Sequence, residues 1–255
     1  MSLHADRYGN AGEPLLFIHG WGMHGGMWGG VLERLAGQFA VSAVDLPGHG
    51  YNKGIETATL DAIVDQLSIQ FSGPLTVCGW SLGGQVALRF AMKYPEQVNR
   101  LVLVSSTPCF VQKDDWPCAM AEETLSDFSA ALQQDYAATL RRFLALQVRG
   151  DKNERALLLG LRQSLMSRSG PDKAALQAGL NILRNTDLRA ALPGISQKTL
   201  VIAGDRDTLT PLPASQYMVE QMHDARLAAV AGAAHAPFLS HPEGFVKRVA
   251  EFLHE

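Results

Sequence analysis

Cysteine is scarce in this 255-residue chain. Its three cysteines, Cys78, Cys109 and Cys118, form no CxxC pair and no metal-ligand spacing, which excludes a disulfide framework and a cysteine-based zinc site. Long apolar runs are also missing. None approaches the roughly 18 residues of a membrane span, and no basic segment followed by an apolar core opens the chain. We therefore expect a soluble protein of the reducing cytoplasm.

An excess of charge of one sign is absent as well. The formal net charge is −3 and the isoelectric point is about 6.2, which gives no overall case for a nucleic-acid partner. Residues 79–84 lack the G-x-G-x-x-G phosphate turn, no P-loop lysine follows them, and no cluster of metal ligands is visible. The sequence predicts no metal and no cofactor, and a charged partner would have to bind a local patch.

The chain does contain a regular alternation of strand-like and helix-like segments. Hydrophobic residues make up 47% of the composition, enough for a substantial core in one large domain. Short apolar runs predict strands at 15–18, 41–44, 75–78, 101–104, 199–203 and 226–230. This alternation predicts an α/β fold with a mostly parallel, doubly wound sheet, which binds ligands at the carboxyl ends of its strands.

The alternation stops between residues 110 and 192. This stretch holds no convincing strand, only about four successive stripes of apolar residues at helical spacing. We predict a helical lid inserted at 110–192, with 1–109 and 193–255 forming the core. An insertion there would lie above the carboxyl ends of the strands, where it can exclude water and select the substrate.

The most informative stretch is Gly79-Trp80-Ser81-Leu82-Gly83, a G-x-S-x-G pattern between a predicted strand and a predicted helix. A serine on such a sharp turn has its Oγ clear of the backbone, and the N–H of the next residue, Leu82, points at the same volume. The flanking glycines remove the Cβ atoms that would crowd the turn. The pattern predicts a nucleophile at Ser81.

A serine nucleophile needs a base, and histidine suits this role because its pKa lies near neutral pH. Of the eight histidines, His235 alone sits in a loop just past a late strand, in the order nucleophile, acid, base that is typical of hydrolases with this serine turn. Two acids, Asp205 and Asp207, follow the strand predicted at 199–203. Spacing favours Asp207 as the partner of His235 but leaves Asp205 open.

A glycine-rich loop at 19–22 follows the first predicted strand. Glycines there let a backbone N–H turn toward a ligand, so we predict that the amides of Trp21 and Leu82 form an oxyanion hole. The predicted reaction is acyl transfer to water, in which Ser81 attacks an ester carbonyl and His235 moves the proton.

These motifs, in this order, resemble the α/β-hydrolase superfamily over essentially the whole chain. Further segments, most of them away from the predicted catalytic residues, resemble the pimeloyl-[acyl-carrier protein] methyl ester esterases of biotin synthesis. They are Ser105-Ser106-Thr107-Pro108-Cys109-Phe110, Asp115-Trp116-Pro117, Arg142-Phe143-Leu144-Ala145-Leu146-Gln147, Asp187-Leu188-Arg189 and Ala233-Ala234-His235-Ala236-Pro237-Phe238. The Arg-Phe-Leu-Ala-Leu-Gln run is the most specific, because a general hydrolase has no reason to share it.

The resemblance implies a serine carboxylesterase that cleaves the methyl ester at the end of a pimeloyl chain on acyl-carrier protein, giving methanol and a free carboxylate. It places the catalytic acid at Asp207 and implies no cofactor. It also implies a set of substrate-binding residues, namely Trp21, Ser81, Leu82, Phe143, Leu144, Ala145, Leu146, Gln147 and His235.

A cluster of basic residues in the predicted lid supports an acidic partner independently. The cluster consists of Arg141, Arg142, Arg149, Lys152, Arg155, Arg162 and Arg168. Against Asp151 and Glu154 this is seven minus two, a local excess of +5 in a chain of net charge −3. Such a surface would attract an acidic carrier protein, and salt would weaken the attraction. Possible carrier contacts are Arg141, Arg142, Arg149 and Arg155; the alternative is an ordinary solvated helix face.

Two other interpretations stay open. The first is another hydrolase of the same fold, such as a general short-chain carboxylesterase, a lipase or a carbon–carbon bond hydrolase. The second is a non-catalytic protein that uses the fold and its lid to bind an acyl ligand or a partner. The presence of Ser81, Asp207 and His235 together argues against the second, since binding alone does not require them. We expect a monomer.

Overall fold

A computed structural model of the chain describes residues 2–56 and 59–255. The strands within these ranges are Ala5–Tyr8 (β1), Pro14–Ile18 (β2), Ala40–Val44 (β3), Leu75–Trp80 (β4), Val98–Val104 (β5), Lys198–Gly204 (β6) and Ala225–Val230 (β7). They form one sheet in the order β1-β3-β2-β4-β5-β6-β7. Every neighbouring pair is parallel except β1 with β3, which is antiparallel. This is the mostly parallel sheet that the alternating pattern predicts.

The central strands β2 and β4 are buried because they are mostly apolar. Every residue of β4 is buried, as are residues 15–18 of β2. Burying one such Val, Leu, Ile or Phe side chain contributes about 1.5–3 kcal/mol, so the centre of the sheet is the rigid part of the molecule. It is this rigid part that carries the serine turn at the end of β4.

The first strand was not predicted, because residues 5–8 carry no apolar run. They read Ala-Asp-Arg-Tyr, and Arg7 is exposed while the other three are half-buried. Since β1 lies at the edge of the sheet and pairs only with β3, it needs no continuous apolar surface.

The α-helices in the described ranges alternate with the strands in the core. They are Gly30–Leu35 (α1), Leu60–Gln70 (α2), Leu82–Lys93 (α3), Glu122–Gln134 (α4), Tyr136–Val148 (α5), Glu154–Leu165 (α6), Lys173–Asn185 (α7), Leu212–Gln221 (α8), Pro237–Ser240 (α9) and Pro242–Leu253 (α10). Gly29, at φ +61°, separates α1 from a 3-10 turn at Gly25–Trp28.

Helices α4 to α7 fill the stretch between β5 and β6, all of which the structure describes. Each predicted apolar stripe lies on one of them, and each helix buries at least two leucines. The segments just before α4 and just after α7 contain isolated bridges, such as that of Cys109 with Asp187. The division into a core and a lid at 110–192 stays a prediction.

Candidate active site

Ser81 lies at the turn between β4 and α3. Its φ of +55° falls in the left-handed region, which costs a residue with a side chain about 1–3 kcal/mol. The N–H of Ser81 donates to the carbonyl of Val104 at 2.9 Å, so the sheet supports the turn up to the serine. A Cβ at Gly79 would lie 2.2 Å from the Gly83 oxygen, and one at Gly83 would lie 2.3 Å from the Ile18 oxygen. Close backbone contacts therefore require both glycines of the pattern.

The two segments predicted to supply oxyanion donors both adjoin Ser81. Leu82 is the first residue of α3, so its N–H has no carbonyl one turn earlier to bond. The loop that carries Trp21 lies against the serine, since a Cβ added to Gly20 would come within 3.2 Å of the Ser81 Cβ. Trp21 is buried, and its indole N–H donates to the carbonyl of Leu176 at 2.8 Å. The role of the two amides as oxyanion donors stays a prediction.

His235 and Asp207 form a buried, hydrogen-bonded pair in the loops that follow β7 and β6. The Nδ1–H of His235 donates to Oδ2 of Asp207 at 2.7 Å. The same carboxylate accepts from the Thr210 hydroxyl at 2.8 Å and from the N–H groups of Leu209 and Thr210 at 2.9 and 3.0 Å. With four donors around it, the carboxylate is fixed and can orient the imidazole ring.

The second candidate acid, Asp205, points elsewhere. Its Oδ1 accepts from the N–H of Gly232 at 2.7 Å, and the residue is exposed. Asp205 thus stabilises the turn after β7, whereas Asp207 contacts His235. Of the two acids that spacing left open, the structure places Asp207 against His235.

The main chain of His235 is held by two further contacts that the sequence did not indicate. Its N–H donates to the carbonyl of Gln147 at 3.0 Å, and its carbonyl accepts from the indole N–H of Trp80 at 2.9 Å. Gln147 belongs to α5, and Trp80 is the residue just before the serine. The remaining ring nitrogen of His235, Nε2, is buried and has no hydrogen-bond partner within the described ranges.

An apolar cavity of about 60 Å³ lies beside Trp21. It is lined by Trp21, Phe110, Met120, Thr124, Leu125, Phe128, Phe143, Leu146, Leu180, Leu183 and Leu209. Three of the substrate residues implied by the resemblance, Trp21, Phe143 and Leu146, belong to this wall. Leu144 packs into the hydrophobic core instead, Ala145 is half-buried on α5, and Gln147 contacts His235.

Gly179 in α7 contributes to this region but was missed in the sequence. A Cβ there would lie 2.6 Å from Cδ1 of Trp21 and 3.5 Å from Cδ2 of Leu82. The Trp21 ring also packs edge-on against Phe128 and Phe143, at centroid distances of 5.4 and 4.8 Å. The glycine therefore lets α7 approach the indole. A glycine inside a helical pattern was the available signal, because it marks close packing.

The Arg168 side chain is buried, so it does not belong in the count of surface charge in the predicted lid. The other six basic residues are exposed, namely Arg141, Arg142, Arg149, Lys152, Arg155 and Arg162. The Arg168 side chain is 8% exposed and forms ion pairs with Asp6 and, at 2.6 Å, with the fully buried Asp45. Its guanidinium also lies 4.7 Å from the centroid of the Tyr51 ring. Counting Arg168 as surface charge was wrong, but Asp151 is buried as well, so the exposed excess is six minus one, or +5.

Three buried histidines lie in the loops that follow β2 and β3. His19 donates through Nδ1 to the next carbonyl at 2.8 Å and accepts at Nε2 from the N–H of Leu46 at 2.9 Å, so the neutral ring fits its surroundings. Burial lowers the pKa of His19 well below its ordinary value, and the nearby His49 lowers it further. Burial also lowers the pKa of His24 and His49. Burial thus favours the neutral form of all three rings.

The free energy of unfolding should fall as the pH drops below about 6.5, because of these three histidines. Their pKa values are lower in the folded chain, so below about pH 6.5 the unfolded chain binds protons that the folded chain does not. Each histidine then removes up to about 1.4 kcal/mol per pH unit. Urea denaturation at about pH 7.5, 6.5 and 5.5 measures the slope.

The pH dependence has an internal control. His49→Gln should reduce the slope, whereas the same change at the exposed His223 should leave it as in the parent chain. Equal unfolding free energies at about pH 7.5 and 5.5 would contradict the assignment of neutral buried rings.

The other chemistry-bearing side chains form no second site in the parts of the chain that the structure describes. Cys78 and Cys109 are buried and Cys118 is half-buried, all as free thiols. Burial raises the pKa of the Cys78 thiol well above its ordinary value, which makes it an inert core residue. Within the same ranges no group of three His, Cys, Asp or Glu side chains could hold a metal ion, and no helix is long and apolar enough to cross a bilayer.

Several known proteins are similar to this chain over nearly its whole length. The profile of the alpha/beta hydrolase family matches residues 15–248. The pimeloyl-[acyl-carrier protein] methyl ester esterase of Nitrosomonas europaea is 46% identical over 96% of this chain and 97% of its own. The protein of the same name from Aeromonas hydrophila is 36% identical over 99% of this chain and 100% of its own.

Solved structures agree on the fold. An esterase from Exiguobacterium antarcticum superimposes with a TM-score of 0.90 and 23% identity over 99% of this chain and 96% of its own. A hydrolase from Pseudomonas aeruginosa has a TM-score of 0.84 and 27% identity over 98% of this chain and 94% of its own. The fold and the resemblance to the pimeloyl esterases predicted from the sequence are both confirmed. The chain belongs to the alpha/beta hydrolase family, in which full-length relatives are esterases.

Proposed function

We propose that this protein is a serine carboxylesterase that hydrolyses the methyl ester of pimeloyl-[acyl-carrier protein] in biotin synthesis, giving pimeloyl-[acyl-carrier protein] and methanol. Relatives with this activity in their names match the chain over nearly its full length. The proposed chemistry is supported by the buried hydrogen bond between His235 and Asp207 near the serine turn. Such a pair activates a serine, and a protein that only binds a ligand does not need it.

In the proposed reaction Ser81 attacks the ester carbonyl while His235, held at Nδ1 by Asp207, takes the hydroxyl proton at Nε2. The N–H groups of Trp21 and Leu82 bind the tetrahedral oxyanion. Collapse of this intermediate breaks the bond to the methoxy group, which leaves as methanol with the proton from His235. Water, activated by the same histidine, then releases the carboxylate and restores the serine.

The apolar cavity beside Trp21, with a volume of about 60 Å³, suits part of the methylene chain of a pimeloyl group. Its lining is apolar apart from Thr124, so each buried CH₂ contributes about 0.8 kcal/mol. We place the methyl ester at Ser81 and the chain along Trp21, Phe143 and Leu146. A short-chain ester would leave most of this surface unused, which favours the longer substrate.

In this proposal residues 110–192 act as a lid whose exposed basic face receives the carrier protein. The proposed carrier contacts are Arg141, Arg142, Arg149 and Arg155, all exposed. Long-range attraction would bring the acidic carrier to them, and this attraction weakens as salt rises. The enzyme is proposed to act in the cytoplasm, as a monomer that meets the loaded carrier as a separate protein.

Hydrolysis of two substrates tests the proposed function. The purified protein should prefer the pimeloyl-carrier methyl ester strongly over a short-chain p-nitrophenyl ester, and Ser81→Ala should abolish both activities. Activity on the small ester alone would favour a general carboxylesterase of the same fold. If a fluorophosphonate probe failed to label the parent protein, or labelled Ser81→Ala equally, the protein would be one that only binds.

Charge reversal on the lid should separate the two substrates. The double variant Arg142→Glu/Arg155→Glu is expected to lower kcat/KM on the carrier-bound ester by about tenfold or more at low salt, since like charges would now oppose docking. Turnover of the small ester should be nearly unchanged. A matched double reversal on the core, Arg7→Glu/Arg34→Glu, replaces two exposed arginines of β1 and α1 and should affect neither substrate. Equal losses on both substrates in the lid variant would contradict the carrier surface.

A further inference from the structure

We propose that Ser106 is a positioning residue for the oxyanion hole, because its hydroxyl orients the peptide that joins Ser81 to Leu82. The inference rests on the esterase reaction proposed above. Ser106 follows β5 and lies 25 positions after the nucleophile, so it is no part of the serine pattern itself.

The carbonyl of Ser81 is held by two donors from different elements. The Oγ–H of Ser106 donates to it at 2.9 Å, and the N–H of Gly84 donates to it at 2.9 Å. The bond from Gly84 lies within the first turn of α3. The bond from Ser106 connects the serine turn to the end of β5, in the centre of the sheet.

Holding this carbonyl also sets the direction of the next N–H. A peptide group is planar, and in the trans form found here its C=O and N–H point in opposite directions. A donor that fixes the oxygen of Ser81 therefore aims the N–H of Leu82. That N–H is free of intrahelical bonding because Leu82 begins α3. It is one of the two donors proposed to bind the oxyanion.

The serine turn needs such support because its backbone is strained. Ser81 has φ +55° and ψ −117°, outside the regions in which a residue with a side chain rests without cost. Left to itself, the peptide after Ser81 would relax and swing the Leu82 N–H away from the developing charge. Donors aimed in advance at that charge are the larger part of catalysis at such sites.

Ser106 fits against the serine turn only because position 84 is a glycine. A Cβ at Gly84 would lie 2.2 Å from the Ser106 Oγ and 2.4 Å from its Cβ, so only glycine permits the contact. Ser106 is 0% exposed, and water has no access to replace its hydroxyl. This accounts for the second glycine of the Gly83-Gly84 pair, which the serine pattern itself does not demand.

The neighbouring Ser105 provides a matched comparison. It is also 0% exposed, yet its Oγ has no hydrogen-bond partner in the described ranges. Two buried serines thus stand side by side at the end of β5, and only Ser106 reaches the serine turn. Replacing Ser106 by alanine removes a hydroxyl that contacts the serine turn, whereas replacing Ser105 by alanine removes a hydroxyl that does not.

Ser106→Ala should fold, because the Ser81 carbonyl keeps the bond from Gly84 and no buried acceptor is left alone. Its kcat on the p-nitrophenyl ester, per active site titrated with a fluorophosphonate, should fall by about tenfold with little change in KM. Ser105→Ala should match the parent enzyme. Ser106→Cys keeps a side chain of similar size but only a weak donor, and should also lose activity.

Inhibition by a trifluoromethyl ketone separates orientation from damage to the fold. The hemiketal that this ketone forms with Ser81 carries the oxyanion, so the Ki of the inhibitor should rise by about tenfold in Ser106→Ala, in step with the fall in kcat/KM. A partly unfolded variant would show fewer titratable sites with an unchanged Ki. If kcat and Ki of both Ser106 variants equalled those of Ser105→Ala, the inference would be overturned while the esterase stood. Absence of Ser81-dependent turnover in the parent enzyme would overturn both.

Discussion

Asp207→Asn should lower kcat by about four orders of magnitude, whereas Asp205→Asn should stay close to the parent enzyme. Asparagine keeps an oxygen for the N–H groups of Leu209 and Thr210, so the loop keeps its shape. Its NH₂ group would face Nδ1 of His235, however, and favour the tautomer with the proton on Nε2. That tautomer cannot accept the proton of Ser81. Steady-state kinetics on the small ester, with active sites titrated, measures the loss.

Asp205 is a close control because it lies in the same turn. Its Oδ1 accepts one bond from the Gly232 N–H, and an asparagine oxygen can accept the same bond. Similar losses of kcat in the two variants would mean that the turn as a whole, and not the contact to His235, was disturbed. A small loss at Asp207 would remove it from the catalytic set.

Arg168→Met should lower the free energy of unfolding by about 3–5 kcal/mol. The change leaves Asp45 as a buried charge with no cation, although the N–H groups of Gly25 and Tyr51 still donate to it at 2.7 and 2.8 Å. Methionine keeps much of the side-chain volume, so the loss reports the charge and not a cavity. Urea denaturation at neutral pH measures it.

The matched control is Arg162→Met, on the exposed face of α6. Replacing an exposed residue of this kind changes the free energy of unfolding by no more than about 0.5 kcal/mol. The loss in Arg168→Met should therefore be several-fold larger. If Arg168→Met were as stable as Arg162→Met, the ion pair with Asp45 would contribute nothing. The contact between the segment after α6 and the loop after β3 would then be stabilised by packing alone.

Strands that are buried on both faces were predictable, and a strand held at one edge was not. The apolar runs at 15–18 and 75–78 are short and lie between glycine or proline residues, which favours buried strands over helices. β1 carries Asp6 and Arg7 and pairs only with β3, so its strand conformation is imposed by the neighbour. No local pattern records such a partner.

The same distinction separates the parts of the candidate site. Ser81 and His235 could be proposed from local patterns and chain order. The bonds of Ser106 to Ser81 and of Gln147 to His235 join segments far apart in the chain, and their geometry exists only after folding. Arg168 was counted as surface charge for a related reason, since charge in a helical region does not reveal which residue turns inward.

Helix α5 limits how freely the proposed lid could be exchanged for another. Its Phe143 and Leu146 line the cavity, and the carbonyl of Gln147 accepts the N–H of His235. A graft that altered substrate range would therefore remove a support of the histidine loop, unless the new helix ended with a carbonyl at the same place. The proposed lid and core are therefore not interchangeable modules, and a redesign would have to treat α5 and the loop after β7 as one unit.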